Sequence, residues 1–412
     1  MLKQFDLPSY QNDITEILLA DIALKIQLTP TEYKETVAHY QAIEKWLERD
    51  DSSLKGLVVR IYPQGSMAIH ATISSNQDVE EFDIDLVVEL NIPSDSDPET
   101  VLDDLYEAVR GRPGSLYYDV TERNSRCVTA HFKNMHLDLC PAVLMPEQIP
   151  DRPERTSTMF HHNKERDERY WHIRNPWGFA DWYNDSAPKE EEFSLFYEER
   201  GLVGIRAQAE PIPEPTPVYQ KPRKVVALQL IKRFRNHRYM KRALKAPPSI
   251  ILSKLSIDAG WANGGLLDEL ELQAAHLEVR FRDYAITVHN PRCPKDDIFT
   301  DRWPSTAVEQ REFYRDIRHL QTQLTKLRYA ADLPSKQKIL ADLFGERATT
   351  SAFESLQRKY DDLSGRGAVK VDMKTAGIAV AASGISGKPV QSSSVVTAPR
   401  HYSHAGKRRW KD

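Results

Sequence analysis

Gly65-Ser66, Asp83-Ile84-Asp85 and Asp138 are the residues whose types and spacing suit chemistry. Asp83 and Asp85 lie two apart in FDIDLVVEL, residues 82–90, where apolar and acidic positions alternate. On a strand that spacing turns both carboxylates to one face and Phe82, Ile84, Leu86 and Val88 to the other. Two carboxylates on one face repel each other unless a cation sits between them. Hard oxygen ligands suit Mg²⁺, with Mn²⁺ as a substitute. Asp138, in the β-rich run MHLDLCPAV, supplies a third carboxylate. Three carboxylates can hold two metals, one activating an attacking hydroxyl and the other stabilising a leaving pyrophosphate. No protein nucleophile is then required, because positioning and charge neutralisation carry most of the barrier reduction. Gly65 lets the backbone approach a phosphate, and the Ser66 hydroxyl and nearby N–H groups can bond its oxygens. The pattern points to metal-dependent nucleotidyl transfer.

These residues need elements to hold them. Ile14, Leu18, Ile22 and Ile26 recur at helical spacing, and a second helix runs over about 29–47, its start marked by Thr29-Pro30-Thr31 with Glu35 downstream. Leu57 to Tyr62 reads as a short strand leading into Pro63-Gln64-Gly65-Ser66. Residues 100–110 read as helix. RCVTAHF, from Arg126, and MHLDLCPAV, from Met135, read as strands joined by a tight turn at Lys133-Asn134. From Met145 to Pro222 the periodic pattern breaks down. There His161, His162 and His172 lack a ligand spacing and read as loop histidines, while Trp171, Trp177, Trp182 and Tyr183 read as packing residues. PIPEPTPVYQKP reads as a linker. Residues 223–245 read as a strongly basic helix, stopped by Pro247-Pro248. Another helix begins at Ile250, and 305–360 is mostly helical. After Gly365 small residues dominate, which suggests a flexible tail ending in Lys407, Arg408, Arg409 and Lys411.

The chain has 412 residues, enough for two domains. Its 56 basic and 60 acidic residues nearly cancel, so no global field implies a nucleic-acid or membrane partner. Cys127, Cys140 and Cys293 are scattered and suggest neither a zinc site nor a disulfide scaffold. MLKQFDLPSYQND has no apolar signal core, and no run is long enough to span a bilayer. A cytoplasmic location is expected.

QGSM (64–67), EFDIDLVVEL (81–90) and HLDLCPAV (136–143) resemble the polymerase-β-like nucleotidyltransferases, and more narrowly the bacterial cyclic GMP-AMP synthase-like enzymes. NPWGFADWY (175–183), KVVALQLIKRFRN (224–236), PPSIILSKL (247–255) and NPRCPKDDIFTDRW (290–303) are similar to later segments of those enzymes. The resemblance implies an α+β fold: a mixed sheet with flanking helices, joined to a helical domain like that of the oligoadenylate synthetases. On that basis residues 1–215 are expected to form the nucleotidyltransferase core, 216–362 the helical domain and 363–412 a basic tail. It implies that Asp83, Asp85 and Asp138 ligate Mg²⁺, that Gln64, Gly65 and Ser66 bind donor phosphate, and that Lys232 and Ser249 hold the triphosphate. The implied activity is synthesis of a cyclic di- or trinucleotide second messenger from NTPs, ATP or GTP, in anti-phage defence, with an effector that senses the product and a regulatory protein partner. No zinc insert for direct DNA sensing is visible. Two other readings remain: a linear oligonucleotide synthase or RNA- or protein-nucleotidylating enzyme, and a catalytically idle binding module.

Overall fold

The computed structural model describes residues 13–74, 82–145, 155–187, 189–207, 220–283, 285–365, 369–372, 377–380 and 395–396. Two helices open the described residues, α1 (Ile14–Ile26) and α2 (Pro30–Leu47). Asp13 caps α1 by accepting from the Thr15 N–H at 2.7 Å. Thr29 and Glu32 cap α2 reciprocally, so Glu32 rather than Glu35 completes its start. There follow β1 (Val58–Pro63), the short α3 (Gly65–Ala68), β2 (Phe82–Leu90), α4 (Pro98–Arg110), β3 (Thr121–Arg123), β4 (Val128–His131) and β5 (Met135–Leu144).

The described residues of the stretch after Met145, expected to lack a pattern, are regular. They hold β6 (Ser157–Asn163), β7 (Glu168–Arg174), α5 (Pro176–Ser186) and α6 (Glu191–Ala207). Strand β6 buries Ser157, Thr158, His161 and His162 beside its apolar residues, so no apolar alternation is visible in its sequence. The three histidines therefore sit on strands, not in a loop. Most of the proline-rich linker lies outside the described residues.

Strands β1 to β7 form one mixed sheet in the order β1-β2-β5-β4-β3, with β6 beside β5 and β7 beside β6. Only the β2–β5 pair is parallel among them. The chain between those two strands crosses over through α4, β3 and β4, as a parallel pair requires. One sheet face is apolar: Phe82, Ile84, Leu86 and Val88 pack with Leu137 and Leu139 against Leu102 and Leu105 of α4. The opposite face is left for polar chemistry.

The remaining helices are α7 (Arg223–Tyr239), α8 (Ser249–Asp258), α9 (Leu266–Phe281), α10 (Ala307–Tyr329), α11 (Leu333–Phe344) and α12 (Glu346–Gly365). They share a second apolar cluster with α1, α5 and α6, including Leu18, Tyr183, Tyr197, Leu230, Ile251, Leu270 and Leu324. Packing thus places α1 with the helices, although α2, through Ile43 and Leu47, belongs to the sheet cluster.

Helix α7, read from its sequence as a strongly basic helix, is a core helix. Lys224, Lys232 and Arg233 are buried along with its apolar residues. Beyond α12, within the stretch expected to be a flexible tail, β8 (Val369–Asp372), β9 (Gly377–Val380) and β10 (Val395–Val396) pair antiparallel. The basic end, Lys407 to Lys411, lies outside the described residues. Among the described residues no helix is long and apolar enough to cross a membrane.

Candidate active site

Strand pairing brings the three aspartates together. Asp83 and Asp85 project from β2, and the parallel register sets Asp85 beside Asp138 of β5. Neighbouring strands lie about 4.8 Å apart, so the two carboxylates are immediate neighbours. Thr129 of β4 pairs with Asp138 on the other side, and its hydroxyl donates to Asp138 Oδ1 at 2.5 Å. Asn124 Nδ2 in turn donates to the Thr129 hydroxyl at 2.9 Å.

The Gly65-Ser66 turn folds over this face. Gln64 N–H donates to the Asp85 carbonyl at 2.8 Å, stitching the turn to β2. Gly65 has φ +57°, and a Cβ there would meet Asp85 Oδ2 at 2.8 Å. Glycine is thus required by the aspartate beneath it as well as by the backbone conformation. Ser66 is half-buried, with the Thr72 hydroxyl 3.5 Å from its own.

From the helical side, α7 grips the segment just after α3. Lys232 Nζ donates to the Ala71 carbonyl at 2.7 Å, and Gln229 Nε2 donates to the Thr72 carbonyl at 2.9 Å. Ser249 is the first residue of α8, not its cap, which is Pro248. Arg235 Nη1 donates to the Ser249 hydroxyl at 3.0 Å and to the Pro247 carbonyl at 2.7 Å. The structure therefore gathers Asp83, Asp85, Asp138, Gln64, Gly65, Ser66 and Lys232 into one neighbourhood, with Ser249 tied to it through Arg235.

The electrostatics of the site follow from this proximity. Burial, then the Asp138 and Asp83 carboxylates, push the Asp85 carboxyl up to about 7, while Lys232 opposes the shift. Burial, then Arg235, push the Lys232 ammonium down to about 7, against the pull of Asp85 and Asp83. Burial also brings Arg235 down to about 10, with Asp83 opposing. A buried carboxyl raised further by two neighbouring carboxylates marks a negative charge that a divalent cation would relieve. Among the described residues no group of three or more His, Cys, Asp or Glu side chains stands ready-made to hold a metal ion. The paired Asp85 and Asp138 still fit Mg²⁺, which keeps waters and takes one or two carboxylates plus substrate phosphates.

Thr129, Asn124 and Arg235 were not singled out in the sequence. Thr129 had a signal, since the Lys133-Asn134 turn fixes a register that pairs it with Asp138. Arg235 had a fainter one, three residues beyond Lys232 on the same helix. The cysteines are less scattered than their spacing suggests. Hydrogen bonding to Cys127 and burial push the Cys140 thiol well above its usual range, beside Asp85 and Asp138.

The profile of the Second Messenger Oligonucleotide or Dinucleotide Synthetase domain matches residues 16–185. The cyclic dinucleotide synthase CdnG of Bradyrhizobium diazoefficiens is 34% identical over 362 residues, covering 84% of each chain. The chain belongs to the bacterial cyclic GMP-AMP synthase-like nucleotidyltransferases. Members of this family synthesise oligonucleotide messengers, and this chain is an enzyme of that class. The structure of CdnG in complex with GTP superposes with a TM-score of 0.72 at 30% identity, covering 84% of this chain and all of that one. The c-di-GMP synthase of Roseivirga ehrenbergii is 24% identical over 361 residues, 85% of this chain and 90% of its own. The cyclic AMP-GMP synthase DncV of Vibrio cholerae, at 18% identity, TM-score 0.52 and 82% coverage of each chain, shares the fold.

Proposed function

We propose that this enzyme is a Mg²⁺-dependent cyclic dinucleotide synthase that joins two NTPs, at least one of them GTP, with release of pyrophosphate. The observation that carries the reading is the pairing of Asp85 with Asp138 beneath the Gly65-Ser66 turn, with Lys232 facing them. CdnG binds GTP in its solved complex, and the Roseivirga relative makes c-di-GMP, which supports guanine in the product.

Asp83, Asp85 and Asp138 would hold the metal. When bound it supplies charge neutralisation on the triphosphate and acidifies the attacking hydroxyl. Ser66 and the N–H groups of its turn hold donor phosphate. Lys232 and Ser249 bind the triphosphate from the helical side, and Arg235 keeps the Ser249 hydroxyl in place. The acceptor's 2′- or 3′-hydroxyl oxygen forms a bond to the α-phosphorus as the bond to pyrophosphate breaks. The linear product then turns over in the same cleft, and a second transfer closes the ring. The cleft lies between a nucleotidyltransferase core (1–215) and a helical domain (216–362), with 363–412 appended. In the cell the enzyme works in the cytoplasm, in anti-phage signalling of the CBASS type, where an effector senses its product.

The test is incubation with all four NTPs and Mg²⁺, phosphatase treatment, and mass spectrometry of the resistant product, with Asp83→Asn as control. A phosphatase-resistant, guanine-containing cyclic dinucleotide, absent from the control, is expected. A linear product, or one that survives in Asp83→Asn, would overturn the reading.

A further inference from the structure

We infer that Asn124 and Thr129 form a positioning relay that fixes which oxygen of Asp138 is left for the metal. The inference rests on the reading above, in which Asp138 is a metal ligand.

Thr129 stands opposite Asp138 across the β4–β5 pair, so both side chains rise from the same face of the sheet. A hydroxyl owns one proton and accepts through its lone pairs. Asn124 Nδ2 occupies the accepting side at 2.9 Å, so the proton is directed to Asp138 Oδ1, 2.5 Å away. Bonds in such a chain polarise one another, so the Asn124 bond strengthens the one made to the carboxylate. The carboxylate can no longer rotate freely. One lone pair of Oδ1 is engaged, so Oδ2 is the oxygen a cation can take with least competition from this bond. Asn124 is itself fixed, because its backbone N–H donates to the Cys127 carbonyl at 2.9 Å in the turn that enters β4. Thr129 is 5% exposed, which leaves little room for water to replace its hydroxyl. Strand propensity explains a β-branched residue here but not a hydroxyl, since valine suits a strand as well. Groups that orient a metal ligand typically contribute about 10- to 100-fold in metal affinity or activity.

Thr129→Val exchanges the hydroxyl for a methyl of similar shape, Thr129→Ser keeps the hydroxyl, and Asn124→Ala removes the outer donor. Mn²⁺ binding by the signal of the free ion in electron paramagnetic resonance, Mg²⁺ half-saturation of synthesis, and thermal unfolding are measured for each full-length variant. Thr129→Val is expected to weaken Mn²⁺ binding and raise the Mg²⁺ half-saturation by about 10- to 100-fold. Thr129→Ser recovers most of the loss, and Asn124→Ala shifts both readouts the same way by less. Equal losses in the valine and serine variants would overturn the relay, as would wild-type Mn²⁺ binding by Thr129→Val. If Thr129→Val does not fold, Asn124→Ala decides, and wild-type Mn²⁺ binding there sinks the idea. Asp138→Asn separates the two readings. If it keeps Mn²⁺ binding and synthesis, the metal assignment fails. If it loses both while Thr129→Val and Asn124→Ala bind normally, only the relay fails.

Discussion

At Asp85 three influences meet: burial, two neighbouring carboxylates and the Lys232 ammonium. Their sum holds the carboxyl at about 7 in the folded protein, against an ordinary value of 3.8. The sign follows from linkage. Between those values the folded chain keeps a proton that the unfolded chain has released. Asp85 therefore contributes stability that is full below pH 4 and lost as pH rises through 7. A cation must displace the same proton, so binding is in competition with it. Mn²⁺ affinity is predicted to rise with pH up to about 7 and flatten above. Titrations on both sides of that value check this, and a flat profile across the range would contradict the electrostatics of the cleft. These residues were legible in the sequence because strand alternation and a glycine turn are local signals. Thr129 and Arg235 carried fainter signals, because each acts through a partner, one found only by following the hairpin register and the other only at a helix start.

Helix α7 shows why element boundaries were easier to read than element environments. Its extent is close to the expected one, shorter by the residues after Tyr239, but its charges are inward. Lys224 Nζ donates to Glu269 Oε1 of α9 at 2.8 Å and to the carbonyls of Ser256 at 3.0 Å and Gly260 at 2.5 Å. Gln273 Nε2 adds a bond to Glu269 Oε1 at 2.9 Å. A count of lysines cannot distinguish a solvated face from a set of buried cations, each with a partner 30 or more residues away. The β6–β7 hairpin was missed for the same reason, since its buried polar residues break the apolar alternation. For α7 the energetic consequence is specific. Losing one member of a buried ion pair leaves an uncompensated charge and costs about 3–5 kcal/mol. Lys224→Met and Glu269→Gln should each destabilise by about that amount, whereas the double variant should cost well under their sum, because no orphan charge remains. Denaturant unfolding of the three proteins measures the coupling. Strict additivity would mean the pair is not the link between α7 and α9.

The whole molecule places half of its site on the sheet and half on the helices, so catalysis depends on what sets the gap between them. Two segments about 115 residues apart are joined beside β7. Arg174 Nη1 donates to Asp297 Oδ1 at 2.7 Å and to the Ile298 carbonyl at 3.0 Å, and Nη2 donates to Asp301 at 2.6 Å. Asn175 N–H donates to Asp297 Oδ2 at 3.1 Å, and Asn290 Nδ2 bonds both the Asn175 carbonyl at 2.9 Å and Asp297 Oδ2 at 2.8 Å. Family resemblance had marked 175–183 and 290–303 separately, but nothing in either segment announces that they meet. Asp297 is the hub, since it receives from Arg174, Asn175 and Asn290 and is buried. The latch ties the end of β7 and the start of α5 to the segment that leads into α10. Asp297→Asn keeps the shape but removes the charge and turns one acceptor into a donor facing donors. Hydrogen bonds to charged groups contribute about 1.5–3 kcal/mol each. If that energy holds the halves in register, the variant should lose about 10- to 100-fold in kcat/KM for NTP, at 1.36 kcal/mol per tenfold. Its Mn²⁺ affinity should stay that of the wild type, because Asp83, Asp85 and Asp138 all rest on the sheet. Steady-state kinetics with parallel Mn²⁺ binding and thermal unfolding separate the cases. A variant that unfolds at lower temperature yet synthesises at the normal rate would show that the latch stabilises the fold without setting the cleft.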